Sequence, residues 1–188
     1  MGGVGEGAAN LYGRQCPTTL DEVSPMLRAS GLVGLMGIAL VPGVNAEVVF
    51  ETPRSRIVLN DDATWASVVE VASGRECLAP DSGLPVATLG HGDDTHVASS
   101  LVASEAGLVL GFADTDTRLH YAVEVGDDWV VFRLRRIEGA RPEAVVLLQV
   151  PVAITERVGS RLNIAWDDET AVCLMAATRQ ADCRARRM

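Results

Sequence analysis

From residue 54 to residue 178 the chain runs as short segments rich in Val, Ile and Leu, each closed by Gly, Pro, Asp or Ser. The segments are RIVLN, TWASVVEV, GLPVATLG, THVASSLVAS and GLVLGFAD, followed by TRLHYAVEV, DWVVFRLRRI, EAVVLLQV, RLNIAWD and TAVCLMAAT. No helical repeat of two turns interrupts them, although 170–178 also reads weakly as helix. Short β-branched runs punctuated at this spacing predict an all-β chain, folded as an antiparallel β-sandwich.

One hairpin can be read in register. Leu119, Tyr121, Val123 and Val125 alternate with Arg118, His120, Ala122 and Glu124; Val130, Phe132 and Leu134 alternate with Trp129, Val131, Arg133 and Arg135. A two-residue turn at Gly126-Asp127 sets Val123 opposite Val130, Tyr121 opposite Phe132 and Leu119 opposite Leu134. A three-residue loop would set Tyr121 against Arg133 instead, and period two makes the two arrangements exclusive. Glycine at the first central position suits a type II′ turn, which favours the first. The opposite face then carries His120, Glu124, Trp129, Arg133 and Arg135. Trp129 offers a flat platform to a sugar ring, and Arg133, His120 and Glu124 offer polar contacts to hydroxyls. The plainer reading is a solvated face with arginine stems lying over the indole.

A different pattern precedes the strands. Met26-Leu27-Arg28 is a short positive start, and Gly31 to Val41 is an uncharged run of eleven residues. Pro42-Gly43 then breaks the run, and Val44-Asn45-Ala46 supplies the short side chains of a cleavage site. These parts predict a signal peptide over 26–46, cut between Ala46 and Glu47; a buried core helix is the alternative. The run is too short for a bilayer core of about 30 Å, so no transmembrane span is expected in the mature chain. Residues 1–25, without sustained periodicity, read as an unstructured upstream extension. Residues 47–178 then form the sandwich domain and 179–188 a disordered basic tail. The expected location is secreted or periplasmic, in a bacterium.

Charge and residue usage exclude several functions. The net charge is −9 and all 16 basic residues are arginine, which is opposite to a nucleic-acid footprint. Cys16 lies ahead of the signal, leaving Cys77, Cys173 and Cys183. No C-x-x-C occurs, so neither a zinc site nor a disulfide framework is indicated, with a Cys77–Cys173 bridge left open. His91, His96 and His120 are not at metal-ligand spacing, and no nucleophile–base motif is present. No catalytic residue and no cofactor is therefore assigned. Acidic pairs at 61–62, 93–94, 127–128 and 167–168, with Asp114 and Asp116, could hold weak structural calcium. They equally suit turns, where aspartate accepts bonds from nearby backbone N–H groups.

Two stretches carry a family resemblance. RIVLNDDATWASVVEVASGREC, with Asp61-Asp62 at a turn and the step Gly74-Arg75-Glu76, resembles the opening of galactose-mutarotase-like β-sandwiches. LQVPVAITERVGSRLNIAWDDETAVCLMAAT is similar to later strands of such domains. In secreted bacterial glycoside hydrolases these domains precede a catalytic barrel. The resemblance implies a supersandwich-like, incomplete domain that is non-catalytic itself. Its implied partners are a polysaccharide and a catalytic domain beyond residue 188, and its implied class is glycoside-hydrolase-associated. A complete small structural or adhesive module is the alternative. If export processing occurs as read, intact-mass analysis of the secreted product will give a chain beginning at Glu47; a product retaining residues 26–46 would refute the cleavage site.

Overall fold

The computed structural model describes residues 9–15, 39–40, 47–80, 82–104, 106–159, 161–178 and 181–187. Among them every regular element is a strand. The first are β1 (Ala9–Gln15), β2 (Ala39–Leu40), β3 (Val48–Glu51), β4 (Ser55–Leu59), β5 (Trp65–Glu70) and β6 (Arg75–Glu76). Next come β7 (Thr88–His91), β8 (Asp94–Ser104), β9 (Gly107–Phe112), β10 (Arg118–Val125) and β11 (Val130–Glu138). The series ends with β12 (Ala144–Val152), β13 (Arg157–Gly159), β14 (Ile164–Trp166), β15 (Ala171–Cys173) and β16 (Ala181–Arg187).

These strands make three antiparallel sheets. The largest has eight strands in the order β11-β10-β9-β8-β7-β12-β1-β16 and curls into a half-barrel. A five-stranded sheet runs β2-β3-β4-β5-β6, and a small one β13-β14-β15. The expectation of an all-β, sandwich-like fold holds, and 170–178 contains strand β15 and no helix.

The alternation of side chains explains which faces meet. Val48, Phe50, Leu59 and Trp65 from the five-stranded sheet share one core with Leu89, Leu101, Leu110, Leu119 and Tyr121 from the large sheet. Phe50 and Phe132 meet edge to face across this interior, with centroids 5.5 Å apart, the geometry that the ring quadrupoles favour. Between β4 and β5 the register shifts: Val58 faces Ser67 and Leu59 faces Trp65, so Ala66 of β5 is the unpaired extra residue of a bulge, and Leu59 and Trp65 enter the core together. Polar atoms carried inside find partners. The Trp65 indole N–H donates to the Gln149 carbonyl at 2.7 Å, and the Tyr121 hydroxyl donates to the Leu147 carbonyl at 3.0 Å. Burial pushes the Tyr121 phenol well above its ordinary range. Gly107 is required where it stands: its φ is +127°, and a Cβ there would lie 1.8 Å from the Tyr121 carbonyl oxygen.

The hairpin differs from its expected register by two residues. Val123 faces Phe132, Tyr121 faces Leu134 and Val125 faces Val130, so the loop has four residues, Gly126 to Trp129. A backbone bond from Gly126 N–H to the Trp129 carbonyl, 2.9 Å, closes it. A shift of two leaves every side chain on its expected face. A bulge then intervenes: His120 faces Arg136, and Arg135 is the unpaired extra residue, so Arg135 leaves the expected row.

Both terminal segments also differ from expectation. The upstream extension contributes β1, which pairs with β12 on one side and β16 on the other. Its sequence, ANLYGRQ, carries no clear side-chain period to read. The basic tail contributes β16, in which Ala181, Cys183 and Ala185 alternate with exposed Asp182 and Arg184. Its inward residues are small, so charge hides the period. Of the proposed signal segment, Ala39–Leu40 forms β2 and pairs with Val48 and Val49. Ala46 lies outside the described residues, and Glu47 is exposed.

Phe50 is 1% exposed. Phe50→Ala should cost about 3–5 kcal/mol, from lost transfer energy and a cavity that its neighbours cannot fill. Urea denaturation would show this as a lower midpoint with the slope retained; a loss below 1 kcal/mol would mean that the two sheets do not depend on this contact.

Candidate functional site

The residues singled out on the hairpin fall into two polar clusters and a tip. Near the tip, Arg133 pairs with Glu124 at 3.4 Å, both groups being half exposed. Such pairs contribute little to stability because water and salt screen them. The Arg133 Nε is buried without a hydrogen-bond partner, which fits a stem lying against the sheet with only its end outside. Farther from the tip, His120 Nε2 lies 2.9 Å from Glu138 Oε2, while Arg136 reaches the same oxygen at 2.7 Å. Arg136 also stands 3.1 Å from His120 Nε2. That nitrogen can either donate to Glu138 or accept from Arg136, according to tautomer. The His120 hydrogen bond and the Arg136 charge hold the Glu138 carboxyl below its ordinary range.

Trp129 occupies the tip, 49% exposed. Its ring lies over Gly126, where a Cβ would come within 2.3 Å of it. Glycine at this position therefore lets the loop backbone support one face of the indole. Residues 135–138 held the signal for Arg136 and Glu138, an Arg-Arg followed by a glutamate. The bulge that places Arg136 rather than Arg135 opposite His120 has no such signature.

A second polar site joins two sheets. The Arg75 guanidinium grips Asp167 with two nitrogens, at 3.1 and 2.5 Å, and reaches Glu169 at 3.3 Å. Asp167 Oδ1 also accepts the backbone N–H groups of Glu169 and Thr170. This fork fixes the β14–β15 turn to β6. It also borders a groove of about 970 Å³ whose lining includes Arg54, Glu70, Cys77, Asp128 and Cys173. Cys77, Cys173 and Cys183 are free thiols, so the bridge left open between Cys77 and Cys173 is not formed. Burial raises all three thiols above their usual range, which disfavours the reactive thiolate.

The remaining candidates are engaged locally. Asp62 accepts the backbone N–H and hydroxyl of Thr64, closing a turn. Asp116 accepts the Ala140 N–H. Glu76 is held by Ser67, by the Val68 N–H and by the Leu78 N–H. His91 and His96 meet edge to face at 5.6 Å. Among the described residues no group of three or more His, Cys, Asp or Glu could hold a metal ion. No helix there is long and apolar enough to cross a membrane.

Fold and site together define an all-β, sandwich-like protein with an aromatic hairpin tip. Comparison with protein-family models, with curated proteins and with solved structures gives no match.

The Arg75 fork, followed by the backbone donors, holds the Asp167 carboxyl well below the usual carboxylate range. A folded value below the unfolded one stabilises the fold at pH values above the ordinary carboxylate pKa of about 4. That contribution is lost as pH falls below about 4 towards the lowered folded value. Asp167→Asn should therefore flatten the fall of thermal midpoint between about pH 5 and pH 2. An unchanged slope would show that the pair does not contribute.

Proposed function

We propose that this chain is an exported, non-catalytic β-sandwich domain that contacts a glycan through the β10–β11 hairpin. The observation that carries this reading is Trp129, a half-exposed indole braced from beneath by Gly126 at the end of a polar sheet face. A braced ring stacks on a sugar with little further loss of side-chain entropy. Arg133, Glu124 and His120, with Arg136 and Glu138, supply donors and acceptors for hydroxyls along the same hairpin. The likeness of 56–77 and 148–178 to galactose-mutarotase-like sandwiches supports a polysaccharide as the ligand. On that reading, hydrolysis belongs to a glycoside hydrolase domain in the same polypeptide, and the location is secreted or periplasmic. The consumption of Glu76, Asp62 and Asp167 in local bonds supports a binding rather than a catalytic role.

A structural or adhesive module is the second reading. It is favoured by Val97 and Val102 on β8, which are both exposed, Val102 at 62%. Such side chains would suit self-association.

Affinity electrophoresis and calorimetry against a panel of soluble polysaccharides distinguish the two. The first reading expects saturable binding to at least one polymer, weakened tenfold or more by Trp129→Ala, about 1.4 kcal/mol. Identical isotherms for wild type and variant would remove Trp129 as the platform, and self-association without any glycan effect would favour the adhesive module.

A further inference from the structure

The hairpin that carries Trp129 runs against the charge of the molecule. The chain has a net charge of −9, yet the paired strands β10 and β11 hold four arginines, Arg118, Arg133, Arg135 and Arg136, against two glutamates, Glu124 and Glu138. Both glutamates are already engaged, Glu124 by Arg133 and Glu138 Oε2 by His120 and Arg136. Arg118 stands opposite Glu138 in the ladder, and Arg135 is the unpaired residue of the bulge. Both are exposed. Among the described residues neither guanidinium has a hydrogen bond or an ion pair, so the hairpin keeps two positive charges without an acceptor.

The surface beside these charges is low and open. Gly111 pairs with Arg118 and Val109 with His120; beyond them Ser100 pairs with Gly111 and Val102 with Val109. Residues paired across a ladder share a face, so short side chains floor a strip next to the arginines, and Val102 on that floor is 62% exposed. β11 is the terminal strand of the large sheet, which leaves the strip open on its other side. Building on the glycan reading above, we infer that the polysaccharide taken by this face is acidic. It is a polymer of uronic acid units whose carboxylates meet Arg118 and Arg135 while a ring stacks on Trp129. A guanidinium presents a planar fork of donors that matches a carboxylate with two parallel bonds. From Trp129 to the row of Arg118 and Glu138 is about 30 Å at the rise of a strand. A single sugar cannot reach both ends, whereas a polymer with carboxylates at intervals meets them in turn. Asp127 and Asp128 in the tip loop are exposed, and like charge turns the polymer's carboxylates away from the tip and along the strands.

The test measures binding of the full chain by calorimetry to polygalacturonate, alginate and hyaluronate, each beside its methyl-esterified form. The ester keeps the backbone of the polymer and removes its charge. At least one uronate polymer should bind, and its ester should bind more weakly by about tenfold or more, because charge-assisted hydrogen bonds are the stronger kind. Arg118→Gln combined with Arg135→Gln should weaken the uronate complex by about tenfold and leave binding of the ester unchanged. As a control, Arg56→Gln combined with Arg157→Gln makes the same change in net charge on the other two sheets. It should alter affinity by less than about twofold, since exposed charges at a distance are screened. Equal affinity for a polymer and its ester, or binding to neutral polymers alone, would overturn the inference and leave the glycan reading standing. So would a loss as large in the control pair, which would mark a response to net charge. Dextran sulfate bound as tightly as the uronate would also overturn it, marking a surface for any polyanion. Binding to no acidic or neutral polymer would end both readings.

Discussion

The indole N–H of Trp65 donates to the carbonyl of Gln149, and with the backbone bonds Ala79 N–H to Pro151 and Ala153 N–H to Cys77 it ties the five-stranded sheet and the segment after it to β12 of the large sheet. A buried indole left without an acceptor would cost about 1–3 kcal/mol, so the two sheets are held in the relative position that supplies one. Phe50 and Phe132 then fill the space between them. With Phe132 facing inward, period two turns Arg133 and Val131 outward and leads β11 into the loop that carries Trp129. The presentation of the tip thus follows from how the interior is closed.

Much of this fold was legible because the central strands are apolar and alternating. Every run read between 54 and 178 contains a strand, and the alternation of the β10–β11 hairpin holds as far as Leu134, failing only at Arg135, where the bulge intervenes. What escaped was structure held by backbone or by distant charge. β1 contains Gly13 and no clear alternation, and β16 hides its period behind Ala, Cys and Arg. β3 and β13 are only four and three residues long, too short for a period to stand out. The Arg75–Asp167 pair joins positions 92 residues apart, and nothing local announces it. Trp129, His120, Glu124 and Arg133 could be named from alternation alone. Arg136 and Glu138 needed the bulge, whose cause lies in how two strands fit together.

The polar chemistry is spent largely on architecture. Asp62, Glu76 and Asp167 accept from turn or strand backbone, and Glu138 binds a histidine and an arginine. The thiols are raised above their usual range by burial. A carboxylate already bound to two or three donors has little capacity left to move a proton.

The four-residue tip has a consequence for how sequences of this kind can diverge. Because a register change of two residues preserves every inward and outward position, the loop from Gly126 to Trp129 can lengthen or shorten in pairs while Tyr121, Val123, Phe132 and Leu134 keep facing the core. A single inserted residue in the paired strands would turn that row towards water unless a second bulge compensated. The bulge beside His120 already performs one such correction. Length variation is therefore filtered by parity within the paired strands, whereas residues added between Val125 and Val130 leave that pairing and the interior beneath it unchanged.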